Sequence, residues 1–372
     1  MLKCVASGRD CPVFNPSRLT LARVRRGLTK KDLAERVGVT LRSFSRYEAG
    51  AMQPPAETLE AIAKTLAFPM EFFSAPTIEA PNPESVSFRA MQSMTASQRN
   101  AALGAAALAL ELSAWISERF ATPEPDVPDL RGHTPEAAAD ALRAAWQLGE
   151  RPIKNLVHLL EQRGVRVFSL AEQNKQIDAF SFWRNGTPCV FLNTVKSAEH
   201  GRFDAAHELG HLVLHRHGGP TGRGAEHEAD QFASCFLMPR ASVLAAAPRS
   251  RNIDALVRLK PMWIVSVAAL NYRLRSLDLL TEWEYRLACI EIQKRGFRLK
   301  EPAPAPRETS QVLQKVFQAL RLEGIGRADV AHSLHIDVDE LDSLVFGLVM
   351  RRVGGGATIP TPRPTHARLR KL

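Results

Sequence analysis

Apolar positions along the chain fall into helical blocks around one short strand-rich stretch. Residues 28 to 50 read as two short helices on either side of a Gly38-Val39 turn. Thr29 and Thr40 are placed as N-caps, Leu33, Ala34, Val37, Val39 and Phe44 supply the packing, and Gly50 is a stop. A proline-rich stretch, 76 to 83, precedes an alanine- and leucine-rich helix over 97 to 120. Beyond a second proline-rich break at 122 to 128, helices are expected over 135 to 149 and 153 to 163, and together these helices are expected to form a bundle on a following sheet. Residues 164–170, 177–183 and 187–193 are rich in Val and Phe and bounded by Gly, Asn and Pro, which predicts three strands. Arg184, Asn185 and Gly186 predict a hairpin turn between the second and third. Helical periodicity returns over 203–215, 224–239, 259–274 and 281–296. Residues 301–307 alternate with proline and predict an extended linker, followed by a small helical unit over 309–349. Its last helix opens on Asp337, Asp339, Glu340 and Asp342, which would repel phosphate and favour contact with protein.

The candidate chemistry sits in the 203–215 helix, where His207, Glu208 and His211 form an H-E-x-x-H motif. At about 100° per residue, His207 and His211 share one face, so both imidazoles reach one tetrahedral metal while Glu208 reaches a water beside it. Zinc lowers the pKa of such a water towards roughly 7, and a carboxylate takes its proton. A catalytic zinc needs a third protein ligand. In the 224–239 helix the apolar stripe runs through Ala225, Ala229, Phe232, Ala233 and Phe236, and Glu228, lying between Ala225 and Phe232 on that stripe, is read as that ligand, a carboxylate there being costly without a cationic partner. The alternative for Glu228 is an ordinary acid favoured at a helix start. Glu226, His227 and Asp230 are assigned to other faces, Asp230 as a candidate to orient a ligating histidine.

Residues from about 150 to 300 resemble the ImmA/IrrE family of metallopeptidases, on the strength of His207 to His215 and Glu228 to Pro239. The resemblance implies a gluzincin-like site with His207, His211 and Glu228 on one Zn2+ per chain and Glu208 as the base. His215 shares the His211 face and is a candidate second-layer donor or transition-state stabiliser, with simple packing at the helix end as the alternative. Ser234, Cys235 and Phe236 depart from the usual small-and-leucine run, and the loop over 217–224 is glycine-rich.

The N-terminal pair of helices resembles the Xre/Cro-like helix-turn-helix family, with Thr29 to Gly50 fitting its pattern. The second helix would present Thr40, Leu41, Arg42, Ser43, Ser45 and Arg46 to a major groove, and Lys30, standing where a glutamine is common, favours a phosphate contact. Residues 16–66 carry ten Lys or Arg and five acids, and residues 351–372 carry six basic residues and no acid, so the whole-chain net charge of +10 is concentrated in these two pieces. Coincidence with a helix-turn-helix makes double-stranded DNA the expected partner of the first. The proline-punctuated second piece reads as a disordered arm.

These readings give a multidomain, mainly α class: an all-α helix-turn-helix domain, then an α+β zincin-like (gluzincin-type) domain with a small sheet, then a helical C-terminal unit. The expected divisions are a leader (1–14), a DNA-binding domain (15–75), a linker and helix (76–134), a metallopeptidase domain (135–300), a proline-rich linker (301–308), a small helical domain (309–350) and a basic tail (351–372). Hydrophobic residues make up 45% of the chain, enough for sizeable cores. No apolar stretch is read as approaching the ~18 residues of a membrane span, no signal segment is read at the N-terminus, and the five scattered cysteines read as reduced thiols, so a cytoplasmic protein without membrane partners is expected. The expected function is an operator-binding transcriptional regulator whose endopeptidase domain cleaves a repressor or antitoxin-like partner, with a homodimer on paired half-sites as one option for its assembly. The alternative is a transcription factor whose zinc site is a non-catalytic sensor or scaffold.

Overall fold

The computed structural model describes residues 13–81, 95–170, 179–216, 222–248, 250–345 and 348–349. Most of the leader with Cys4 and Cys11, most of the glycine-rich loop and the basic tail lie outside the described residues. The elements run α1 (Pro16–Arg25), α2 (Lys30–Val37), α3 (Leu41–Glu48), α4 (Ala56–Leu66), α5 (Ala96–Ser117), α6 (Pro135–Ala145) and α7 (Leu156–Gln162). Strands β1 (Arg166–Leu170), β2 (Ala179–Arg184) and β3 (Thr187–Asn193) follow, then α8 (Ala198–Leu214), α9 (Arg223–Leu237), α10 (Arg240–Ala246) and α11 (Ile253–Leu259). The chain continues through α12 (Val267–Ser276), α13 (Glu282–Lys294), α14 (Gln311–Leu322), α15 (Arg327–Ser333) and α16 (Val338–Val345).

Among the described residues two compact units emerge, the first from 13–80, 95–115 and 320–342, the second from the others. In the first, the Thr29 side chain accepts from the Asp32 N–H while Asp32 accepts from the Thr29 N–H, a capping box that starts α2. Gly38 ends α2 at φ 76°, a left-handed conformation that suits a residue without Cβ, and Thr40 caps α3. Leu19, Leu33, Phe44, Ile62, Leu66 and Phe72 are buried at the centre.

Helix α5 has the length and apolarity of a membrane span, with mean hydropathy 1.2, which corrects the expectation that no stretch comes close. Two thirds of that window (67%) is buried inside the fold, as in the core helix of a folded domain. Nor does α5 belong with the sheet: residues 95–115 group with the N-terminal helices. Arg18, fully buried on α1, forms an ion pair with Glu111 of α5 at 2.7 Å and lies over the Phe72 ring. A Cβ at Gly104 would approach the Arg25 Cα to 3.2 Å, so the small residue admits close contact between α5 and α1.

The C-terminal residues 320–342 also join this unit instead of standing alone. Glu340, its side chain 2% exposed, accepts from Arg25 at 2.6 Å and Arg26 at 2.5 Å. Burial alone would raise its pKa, but the two guanidiniums hold it below the ordinary value. A carboxylate this buried needs cationic partners, and the nearest are supplied by α1 and the residue after it.

In the second unit β3 is central, parallel to β1 and antiparallel to β2. Asn185 and Gly186 both have positive φ (47° and 79°), the requirement of a two-residue type I′ hairpin. Phe180 and Phe182 of β2 stack on Phe191 of β3. Alternation turns Ser181 and Trp183 to the opposite face, where Ser181 bonds Glu208 and the Trp183 indole donates to the Leu212 carbonyl at 3.1 Å, fastening α8 to the sheet. The proline-rich stretch 301–308, expected as a linker, is tied down along this unit. Glu308 accepts from the Leu156 and Val157 N–H groups at the start of α7 and pairs with buried Arg202. Glu199 accepts from Lys260 at 2.8 Å and from the Ala305 N–H at 2.9 Å.

Candidate metal centre and nucleic-acid interface

Ser197 caps α8, and one turn of that helix separates His207 from His211, with their Nε2 atoms 3.1 Å apart. Helix α9 packs close against α8 at Gly210, where a Cβ would meet the Phe232 ring at 3.0 Å and the Ala229 Cα at 3.2 Å. That close approach delivers Glu226, whose carboxylate oxygens lie 3.2 Å from His207 Nε2 and 3.4 Å from His211 Nε2. The ligand atoms of His207, His211 and Glu226 all lie within 4.8 Å of one another.

Glu228, expected as the third ligand, is not brought to these imidazoles. Its carboxylate is 2.9 Å from His215 Nε2, and its side chain is 43% exposed. The reason is helical geometry: at about 100° per residue, Glu226 and Asp230 stand about 40° apart, whereas Glu228 stands about 160° from Asp230. Asp230 bonds His207 Nδ1 at 2.8 Å, so the side of α9 that serves His207 includes Glu226 and excludes Glu228. The signal was present in the sequence, since choosing Asp230 to orient a ligand selects its i−4 neighbour as the residue beside that ligand. The apolar stripe does not discriminate, because Glu226 and Glu228 flank it on opposite sides.

The surrounding hydrogen bonds assign the tautomers. Asp230 accepts from His207 Nδ1–H, leaving the Nε2 lone pair for a cation. Glu228 accepts from His215 Nε2–H, His215 Nδ1 accepts from His211 Nδ1–H, and His211 Nε2 is left available in the same way. Glu208 is buried, and the Ser181 hydroxyl donates to its Oε2 at 2.7 Å. Burial disfavours a charged His207, yet bonds to Asp230 and Glu226 outweigh it and lift the imidazole to about 10. Burial would raise Glu226, but His207 and His211 hold it well below the ordinary carboxylate range. A shared proton can thus join acceptors that would otherwise repel. Two imidazole nitrogens and a carboxylate oxygen are also the donor set that a divalent cation of zinc type prefers, and metal binding displaces such protons. The residues fit a metal.

One turn earlier on α8, burial lifts the Asp204 carboxyl to about 7 against the pull of Lys196 and His207. The folded value exceeds the ordinary 3.8, so this proton's contribution to stability is complete below about pH 4 and is lost as pH rises through 7. Asp204→Asn is therefore expected to be on the order of 4 kcal/mol more stable than the parent at pH 8, the gap closing as pH falls towards 4. Urea unfolding across that range reads it, and a gap independent of pH would refute the cause. The thiols lack such activation: Cys189 and Cys235 are free, and burial pushes them up to about 12 and about 11.

On α3, Phe44 and Tyr47 face inward while Thr40, Leu41, Arg42 and Arg46 are exposed and Ser43 and Ser45 half-exposed. The Thr40 hydroxyl is occupied in capping, at 3.1 Å from the Ser43 N–H. Lys30 pairs with Glu48 at 3.2 Å, and Glu48 also holds Arg23 at 2.7 Å, so the lysine is partly committed within the domain. Residues 320–342 bring two Arg and six acids to the same unit, so the basic excess of α1 to α4 is countered there. What remains for DNA is the placement of Arg42 and Arg46. Replacing both by Ala is expected to lower the slope of log affinity against log salt by about 2, measured by fluorescence anisotropy on duplex DNA. An unchanged slope would show that neither side chain meets a phosphate.

The folds and sites give a helical unit with a helix-turn-helix arrangement and a second unit that pairs a small sheet with an H-E-x-x-H helix. A family model described as a helix-turn-helix domain matches residues 17–71, and one described as an IrrE N-terminal-like domain, a peptidase family, matches residues 160–275. The chain thus carries a helix-turn-helix segment over 17–71 and an IrrE-like segment over 160–275. No curated protein matches it.

Proposed function

We propose that this protein is a cytoplasmic transcriptional regulator that binds an operator through α3 and cleaves a protein partner, of repressor or antitoxin type, with a zinc-dependent endopeptidase domain. The observation that carries this reading is the convergence of His207, His211 and Glu226 beside buried Glu208. His207, His211 and Glu226 would hold the zinc, which when bound polarises a peptide carbonyl and acidifies water. Glu208 accepts the proton of the attacking water and passes it to the leaving amine. The Ser181 hydroxyl orients the Glu208 carboxylate for both transfers. Strand β2 is an edge of the sheet and carries Ser181, so an extended peptide pairing along it would pass the site.

The test is incubation of the zinc-loaded chain with a mixed peptide library and mass spectrometry of new termini, in parallel with Glu208→Gln. New termini from the parent alone support the endopeptidase. Zinc and operator binding without new termini, from peptides or from a repressor expressed beside it, would favour the non-catalytic sensor.

A further inference from the structure

Helix α13 lies beyond both matched segments and is apolar on two opposite faces. One face packs inward through Ala288 and Ile292. The other holds Trp283, Leu287 and Ile290, which are 69%, 44% and 49% exposed. Steps of four and three residues put these side chains on one stripe, a pattern that a helix with one buried face does not need. They also match the seam of a two-stranded coiled coil, with Trp283 and Ile290 at d and Leu287 at a. Lys294 takes the next a position, where its aliphatic stem can lie along the seam with its charge in water.

This register sets Glu284 and Glu291 at e and Arg286 and Gln293 at g. In a parallel pair each g residue meets the e residue five positions on in the other helix, so Arg286 would face the partner's Glu291, twice by symmetry. An antiparallel pair would set e against e and bring Glu284 towards the partner's Glu291, two like charges. The charge pattern therefore fits a second copy of this chain in parallel register. The helix is well started for such a role, since Thr281 and Glu284 form a capping box at its N-terminus. Arg286, 74% exposed, now pairs with Glu282 at 2.7 Å, an exposed contact of little worth that exchanges readily.

We infer that α13 is a self-association surface through which two copies of the chain pair in parallel about a twofold axis. The seam spans about three turns, so the dimer is weak, with a dissociation constant on the order of 10 µM. This deepens the regulator reading, since helix-turn-helix proteins commonly take paired half-sites as dimers. It is tested without DNA or substrate, so its failure is separable from failure of that reading.

Sedimentation velocity of the full zinc-loaded chain from about 1 to 200 µM is expected to show a concentration-dependent dimer. Leu287→Glu should weaken it by roughly thirtyfold or more, and Trp283→Lys similarly, with the circular dichroism of the parent retained. Arg286→Glu should weaken it about fivefold, and adding Glu291→Arg should restore it. A parent that stays monomeric throughout, or a dimer indifferent to both Leu287→Glu and Trp283→Lys, overturns the surface. A double variant no stronger than Arg286→Glu overturns the parallel register.

Discussion

Zinc bound to the purified protein is expected to stay near one ion per chain in Glu228→Ala and to be lost from Glu226→Ala and His211→Ala. Glu226 brings its oxygens within 3.4 Å of both imidazole Nε2 atoms, so its removal leaves two ligands where catalytic zinc takes three. Glu228 touches His215, which touches His211; its removal loosens the tautomer of one ligand without removing any. Loss of such a supporting group typically costs about 10- to 100-fold in affinity, enough to show in competition with a chelator but not in metal content at saturating zinc. Elemental analysis after gel filtration, paired with chelator competition, separates the two effects. Retention by Glu226→Ala together with loss from Glu228→Ala would return the third ligand to Glu228 and overturn the geometry described here.

Glu208→Gln is expected to reduce peptide cleavage by about 10²- to 10⁴-fold while leaving zinc content unchanged. The amide keeps the shape of the side chain and an acceptor for the Ser181 hydroxyl, but it cannot take a proton from water. Ser181→Ala should have a smaller effect on turnover, because it frees the carboxylate to rotate without removing the base. Cleavage by Glu208→Gln at the rate of the parent would sink the assignment of Glu208, whatever the metal does.

Local signals carried much of this architecture. The Gly38 turn, the Thr29 and Thr40 caps and the Asn185-Gly186 hairpin each depend on neighbours within a few residues, and each is found where its residues place it. The pairing of His207 with His211 follows from one turn of one helix. The third carboxylate was harder, because it depends on how α9 is rotated against α8, and that rotation is fixed by the Gly210 contact with Ala229 and Phe232. Periodicity shows which residues share a stripe but not which flank of the stripe meets the neighbouring helix. The membership of α5, of 301–308 and of 320–342 was illegible for a different reason. Arg18 with Glu111, Arg202 with Glu308 and Arg26 with Glu340 are pairs between distant residues, and no pattern within one segment announces its partner.

The clasp of Glu340 on Arg25 and Arg26 has a consequence in time. The carboxylate follows Arg25 by 315 positions, so at about 5–20 residues per second a ribosome reaches it roughly 15–60 s later. For that interval the nascent helix-turn-helix carries two cations whose buried counter-charge has not been made. The helix-turn-helix unit is completed only on molecules translated through the whole IrrE-like segment, so fragments ending before residue 340 inherit its helices without their closing ion pair.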